Sequence, residues 1–203
     1  MKNVLFLSLI AFFALLGCAQ HKPVKTIEDL KAGIKGETTA SEKYAAFSQK
    51  ALDEGYDTIA KLFDATSRAE AVHAANHLKV LEKLGAQMDD FKPEYEVGNT
   101  LENLQAANDG EDYEVSTMYV KFLEDAKAEK VPDAERSFTW AFETEKKHEQ
   151  FYSDALEALK QNAENKLPFE YAVCPVCGNT YTKADMDASC AFCGTPSDKF
   201  III

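Results

Sequence analysis

Residues 70–73 read Glu70-Ala71-Val72-His73, and 75 positions further on residues 145–148 read Glu145-Lys146-Lys147-His148. Residues three apart on a helix are neighbours on one face, so each pair turns a carboxylate and an imidazole toward the same point. Each pair is preceded by a lone glutamate: Glu37 stands 33 residues before Glu70, and Glu111 stands 34 before Glu145. Glu114 adds one more carboxylate, three residues after Glu111. One glutamate from each of two helices, with one Glu-x-x-His from each of two others, is the donor set of a four-helix bundle that holds two metal ions in its core.

The flanking periodicity turns these donors inward. Three-four spaced stripes run Ile27, Leu30, Ile34, Glu37, Ser41, Tyr44, Ser48, Ala51 and Ile59, Phe63, Thr66, Glu70, His73, His77, Val80, Leu84. Two more run Leu101, Leu104, Asn108, Glu111, Val115, Met118, Phe122 and Phe138, Ala141, Glu145, His148, Tyr152, Ala155, Leu159. Each is an amphipathic helix with a polar donor where an apolar residue belongs. Glutamate is common on solvated faces, but a carboxylate on a buried seam must be paired or metal-bound. A shift of 75 also superposes Glu54 on Glu129 and Phe63 on Phe138, which predicts a pseudo-twofold axis through the metal pair.

Outward from the donors, the first helix is expected over 26–54 and the second over 56–84, with Gly85 as its stop. The stretch 86–98 is a crossover rather than a tight hairpin. Asn99 with Glu102 forms a capping box for the third helix. Pro132 suits the first turn of the fourth, which is expected to run to about Asn165. Pro168 closes that helix within a linker over 166–170. The remainder, 171–203, is too short for a core of its own without a staple. Cys174-x-x-Cys177 and Cys190-x-x-Cys193 supply one: four thiolates at this spacing hold a single iron or a zinc. Tyr181, Phe192 and Phe200 are expected to wrap that site, and Ile201 to Ile203 to add an end strand.

The 203-residue chain carries 34 acids against 22 bases, a formal balance of −12, which argues against a nucleic-acid partner. Lys2 followed by an uncharged apolar run from Val4 to Leu16 reads as a signal peptide over 1–17. Gly17-Cys18 at its end resembles the bacterial lipoprotein cleavage box, which implies lipidation of Cys18 and a tether over 18–25. The other reading is a plain secretory signal. The expected location is the cell envelope on the periplasmic side, anchored to the membrane through Cys18.

From about Thr26 to Ile203 the chain resembles the rubrerythrin family. The matching pieces are Gly36-Glu37, Glu70-Ala71-Val72-His73, Gly110-Glu111-Asp112-Tyr113-Glu114, Met118-Tyr119, Glu145-Lys146-Lys147-His148 and the four-cysteine module. The resemblance implies a mainly α protein, a ferritin-like di-iron bundle over 26–165 followed by a rubredoxin-like domain over 171–203. It implies reduction of hydrogen peroxide to water in oxidative-stress defence, with electrons passing from the thiolate-bound iron to the di-iron pair. It implies that Glu70 and Glu145 bridge the irons, with Glu37 terminal on one and Glu111 and His148 on the other. His73 and Glu114 would alternate on the first iron with oxidation state. Tyr44 and Tyr119 would hydrogen-bond ligands or bound peroxide, or else serve as core packing. A homodimer, in which one subunit's cysteine domain approaches the other's bundle, is implied as well. The electron donor is open, because the family is chiefly cytoplasmic whereas this chain carries an export signal. Ala191 stands where the second cysteine knuckle commonly has proline. His77, one turn beyond His73, is read as a core or rim histidine bonded to water or a carboxylate. A ferritin-like ferroxidase or iron-handling protein is the alternative function, and a zinc-bound interaction protein a third. The four-cysteine module weighs against the second, since iron storage needs no built-in electron carrier.

Overall fold

The computed structural model describes residues 22–203, so the expected signal segment, Cys18 and the first part of the tether lie outside the described residues. Five helices make the main body. Helix α1 spans Val24–Asp53, α2 Asp57–Lys83, α3 Thr100–Tyr113, α4 Tyr119–Ala128 and α5 Pro132–Lys160. Helices α3 and α4 are one rod joined by a π-helical turn, Glu114–Met118, so the architecture is a four-helix bundle with a long crossover between α2 and α3. None of the described helices is long and apolar enough to cross a membrane.

Local chemistry explains most boundaries. Pro23 precedes α1, which starts two residues before the expected Thr26. Gly55 and Gly85 take φ of +85° and +71°, a conformation that costs glycine nothing and stops α1 and α2. Asn99 and Glu102 form the capping box at α3: Glu102 N–H donates to Asn99 Oδ1 (3.0 Å) and Asn99 N–H to Glu102 Oε2 (2.9 Å). Pro132 opens α5. Helix α5 ends at Lys160 rather than near Asn165, because Asn162 turns left-handed at φ +53° and Ala163 N–H closes back on Ala158 C=O at 2.8 Å.

The apolar core is divided in two by the polar centre. One cluster contains Tyr44, Phe47, Ile59, Leu62, Phe63, Leu104 and Tyr152; the other contains Leu30, Ile34, Leu81, Tyr119, Phe122 and Phe138. Full burial of each such side chain stabilises by about 1.5–3 kcal/mol, so the two caps offset the cost of the buried donors between them. The expected third-helix stripe is followed only in part. Leu101 is 42 % exposed, at the first turn of α3. Beyond Glu111 the π turn holds one extra residue, so Val115 and Met118 are only half-buried and Tyr119 takes the inward place, with no exposed surface.

The C-terminal part is a three-stranded antiparallel sheet, β1 (Tyr171–Val173), β2 (Thr180–Thr182) and β3 (Ile201–Ile202), in the order β2-β1-β3. Val173 pairs with Thr180 and Ile201, which brings the two cysteine knuckles together at one end of the sheet. Tyr181 and Phe200 stack at 5.3 Å over the cysteines, with Phe192 packed beside them.

Candidate metal centres

Six side chains from four helices converge at mid-bundle. Glu37 comes from α1, Glu70 and His73 from α2, Glu111 from α3, and Glu145 and His148 from α5; all are buried. They fall into two groups whose donor atoms lie within 4.8 Å of one another: Glu37, Glu70, His73 and Glu145; and Glu70, Glu111, Glu145 and His148. The groups share Glu70 and Glu145. His73 Nδ1 is 2.9 Å from Glu70 Oε2 and 2.8 Å from Glu145 Oε1, and His148 Nδ1 is 3.1 Å from Glu70 Oε1 and 2.7 Å from Glu145 Oε2.

Several of these atoms are buried without a hydrogen-bond partner, among them Glu37 Oε2, Glu70 Oε1, Glu111 Oε2, both Glu145 oxygens and His148 Nδ1. So many orphaned donors aimed at common points fit two metal ions. The electrostatics agree. Burial first, then the neighbouring carboxylates, hold Glu37 and Glu111 well above the usual carboxylate range. Burial also works against charge on Glu70, but His148 and His73 beside it bring it down to about 2. His73 is raised to about 9, because Glu145 and Glu70 outweigh its burial. Without metal, protons and imidazolium charges stand in for the cations; metal binding releases them.

Glu114 lies at the first position of the π turn, half-buried and outside both groups of close donors. It is near enough to Glu37 to be the largest charged influence on it after burial. Tyr44 O–H donates to Glu111 Oε1 at 2.7 Å, and Tyr119 O–H meets Glu37 Oε1. Each tyrosine therefore backs the lone glutamate of the other half. His77 is a core histidine, as expected, but its bonds go to Ser137 and Tyr119 rather than to a carboxylate.

The four cysteines also form one group within 4.8 Å. Their closest sulfur pairs are 3.4 Å (Cys177–Cys190) and 3.5 Å (Cys174–Cys193), far too long for disulfides. A tetrahedron with metal–sulfur bonds of about 2.3 Å has edges of roughly 3.8 Å, so the cage fits one ion after slight expansion. The Cys177 thiol and nearby backbone N–H groups hold Cys174 down to about 4 against its burial, and such a thiolate is a ready metal ligand. Tyr181 O–H donates to Cys190 Sγ at 3.4 Å while its oxygen accepts from Asn179 Nδ2 and Ala191 N–H.

Residues that sequence reasoning did not single out join the two centres. Thr180 O–H donates to Gly178 C=O (3.2 Å), which leaves its oxygen to accept from His148 Nε2–H at 2.8 Å. That bond places the imidazole proton on Nε2 and frees Nδ1 to face the bundle centre. Gly178 packs directly on His73; a Cβ there would lie 2.2 Å from His73 Nε2. Lys147 Nζ donates to Asn179 Oδ1 (2.6 Å), and Asn76 Nδ2 to Val176 C=O (2.8 Å). Within one chain the cysteine domain already meets the bundle at His148 and His73. No linear pattern marks Thr180 or Gly178 for this part, because the contact depends on where the linker delivers the domain.

The rubrerythrin family model matches residues 28–156. Rubrerythrin-2 of Clostridium acetobutylicum is 33 % identical over 185 residues, covering 88 % of this chain and 97 % of that protein. Nigerythrin of Nitratidesulfovibrio vulgaris is 33 % identical over 183 residues, covering 86 % of this chain and 85 % of the other. The solved structure of fully reduced, all-ferrous nigerythrin superposes with a TM-score of 0.77 at 31 % identity, covering 88 % of this chain and 86 % of that one.

Proposed function

The chain belongs to the rubrerythrin family, a family of oxidoreductases, and on that footing we propose that it reduces hydrogen peroxide to water. It carries a carboxylate/histidine di-iron site and a four-cysteine rubredoxin-like site. When bound, the iron pair supplies the two electrons that split the O–O bond, and the thiolate-held iron passes on their replacements. The overall reaction takes two electrons and two protons per peroxide and yields two waters.

In this reading Glu70 and Glu145 would be shared by both irons, since both groups of donors contain them. Glu37 and His73 complete one side, and Glu111 and His148 the other. Glu114 would replace His73 on the first side when the pair is oxidised, because a fifth carboxylate would favour the more highly charged pair and a neutral imidazole the reduced one. Tyr44 and Tyr119 steady the terminal carboxylates by donating to Glu111 and Glu37. The apolar caps on both ends keep bulk water away.

The observation that carries the proposal is the Thr180–His148 hydrogen bond, which joins the cysteine domain to a di-iron ligand inside one chain. An iron-storage role gives that wiring nothing to do. Anaerobic reduction followed by stopped-flow mixing with peroxide tests it. The thiolate-bound iron should reoxidise within a turnover; if it stays reduced while peroxide disappears, electrons enter elsewhere. The proposal extends to a homodimer fed by an unidentified donor, and to export with a lipid anchor on Cys18, both on sequence resemblance alone. Sedimentation tests the first, and labelled fatty acid on wild type but not on Cys18→Ser tests the second.

A further inference from the structure

Among the described residues, a file of four buried side chains leads away from the metal centre on the Glu37 side. Tyr119 O–H meets Glu37 Oε1, His77 Nε2 is 3.0 Å from the Tyr119 oxygen, and His77 Nδ1 is 2.7 Å from Ser137 Oγ. Glu37, His77 and Tyr119 have no exposed surface, and Ser137 is buried. Gly33 on α1 makes the room, since a Cβ there would come within 3.1 Å of His77 Cδ2. Phe138 meets the imidazole edge-on at 5.1 Å, and Phe122 packs against Tyr119. Among the described residues, no carboxylate bonds His77. Burial in this cage, helped by the nearby His73, pulls it down to about 3, so it is neutral and carries one ring proton.

Counting protons fixes the direction of every bond. A metal-bound Glu37 is a carboxylate and only accepts. The single phenolic proton of Tyr119 therefore goes to Glu37, and its oxygen must accept from His77 Nε2–H. Nδ1 is then bare and accepts from Ser137 O–H. The other half is built differently. The position 75 residues after His77 is Tyr152, whose hydroxyl is bonded to Thr66, and its ring meets that of Tyr44 at 5.5 Å. Tyr44 thus has no imidazole N–H behind it.

We propose that His77 is a positioning residue, which donates from Nε2 to Tyr119 and so aims the Tyr119 hydroxyl at Glu37, restraining the terminal carboxylate on one side of the metal pair and not on the other. The inference rests on the reading of Glu37 as a terminal ligand. Its consequence is that the two bundle metals differ in affinity, with the Glu37/His73 side depending on His77. Partners one step beyond the ligands commonly change metal affinity by about 10- to 100-fold.

The test is titration of the protein, its four-cysteine site already filled, with zinc as the probe, by calorimetry. His77→Leu should weaken one of the two bundle sites by roughly tenfold or more and spare the other. His77→Gln, whose side-chain Nε2–H still reaches toward Tyr119, should recover most of the loss, which mere core packing would not require. Nitrogen-15 NMR of the zinc-loaded wild type should show His77 with its proton on Nε2. Unchanged zinc affinity in His77→Leu overturns the inference, as does a proton on Nδ1 in the wild type; the tautomer answers even if the leucine variant fails to fold. Glu37→Gln separates the two layers. If it weakens one site and His77→Leu weakens neither, this inference alone fails. If Glu37→Gln also changes nothing, the ligand reading fails and takes this inference with it.

Discussion

The two halves of the bundle repeat the same ligand set, and their differences are more informative than their likeness. In the first, Tyr44 follows Glu37 by seven residues; in the second, Tyr119 follows Glu111 by eight. Eight residues of regular α-helix would leave Tyr119 about 80° off the Glu111 face. The π turn at Glu114–Met118 absorbs the extra residue and restores the alignment. The same residue accounts for the spacing of 33 in one half and 34 in the other. It also sets Glu114 at the start of the π turn, where the first half has Ala40. Outside the π turn the symmetry extends to the helix starts. Glu54 accepts from Thr100 N–H (2.8 Å) and Oγ1 (2.6 Å), while Glu129 accepts from Thr26 N–H (2.8 Å). The matched ligands repeat between the halves; in the proposed reading the inserted residue is what sets Glu114 apart from its counterpart.

The largest break comes from a residue that belongs to both sides. Glu145→Ala should empty the bundle of both metals and abolish turnover, with the four-cysteine ion retained, as metal analysis would show. A loss of only one metal would make Glu145 a private ligand rather than a shared one.

The next break falls on the docked domain, which touches the halves unequally: Gly178 on His73, Thr180 on His148. Gly178→Ala would drive a Cβ into the imidazole and strain a backbone held at φ +84°. Electron transfer into the bundle should slow by about tenfold or more, the scale expected when a group supporting a metal ligand is displaced. Single-turnover spectra would show it as slow reoxidation of the thiolate-held iron, and wild-type kinetics would mean the contact is idle.

Deleting Ser116, an exposed residue of the π turn, should make the second half a regular copy of the first. We expect the bundle to keep its metals while steady-state peroxide turnover falls about as far as in Glu114→Gln, roughly tenfold. Wild-type turnover in the deletion would show that the extra residue has no part in the reaction.

Removing the metals should expose a pH slope. His73 in the folded metal-free protein is raised to about 9, so its contribution is full below its ordinary value near 6.5 and is lost as pH rises through 9. Glu37 and Glu111, raised likewise, act in the same direction. Glu70, lowered to about 2, contributes above its ordinary range and loses that contribution only as pH falls toward 2. Denaturant melts of the metal-free protein should therefore lose on the order of a few kcal/mol between pH 6.5 and 9, and the metal-loaded protein much less. The smallest effects should come from Glu54→Ala and Glu129→Ala, each costing about 1 kcal/mol as a lost helix-start acceptor and matching each other if the symmetry is real.

Much of this was legible in the linear chain. Three of the four seams, the capping box at Asn99, the proline at 132 and the paired cysteines are local signals with local physical causes, and the structure follows them. The π turn was written in the gaps of 33 and 34, but a regular-helix period misassigns Val115 and Met118 to the seam in place of Tyr119. The partners of His77 and the seats of Gly178 and Thr180 depend on tertiary contacts between residues 32 to 105 apart, for which no periodicity exists. Asn162 ends α5 through a backbone state that its residue type permits but does not require.

The difference between the halves is tested most directly by a pair of crystal structures of the iron-loaded protein, oxidised and chemically reduced. Glu114 should bind the Glu37-side iron in the oxidised form and give way to His73 in the reduced form, while Glu111 and His148 keep their places in both. If His73 stays on the same iron throughout and Glu114 never coordinates, the inserted residue does not distinguish the two sides and the account is wrong.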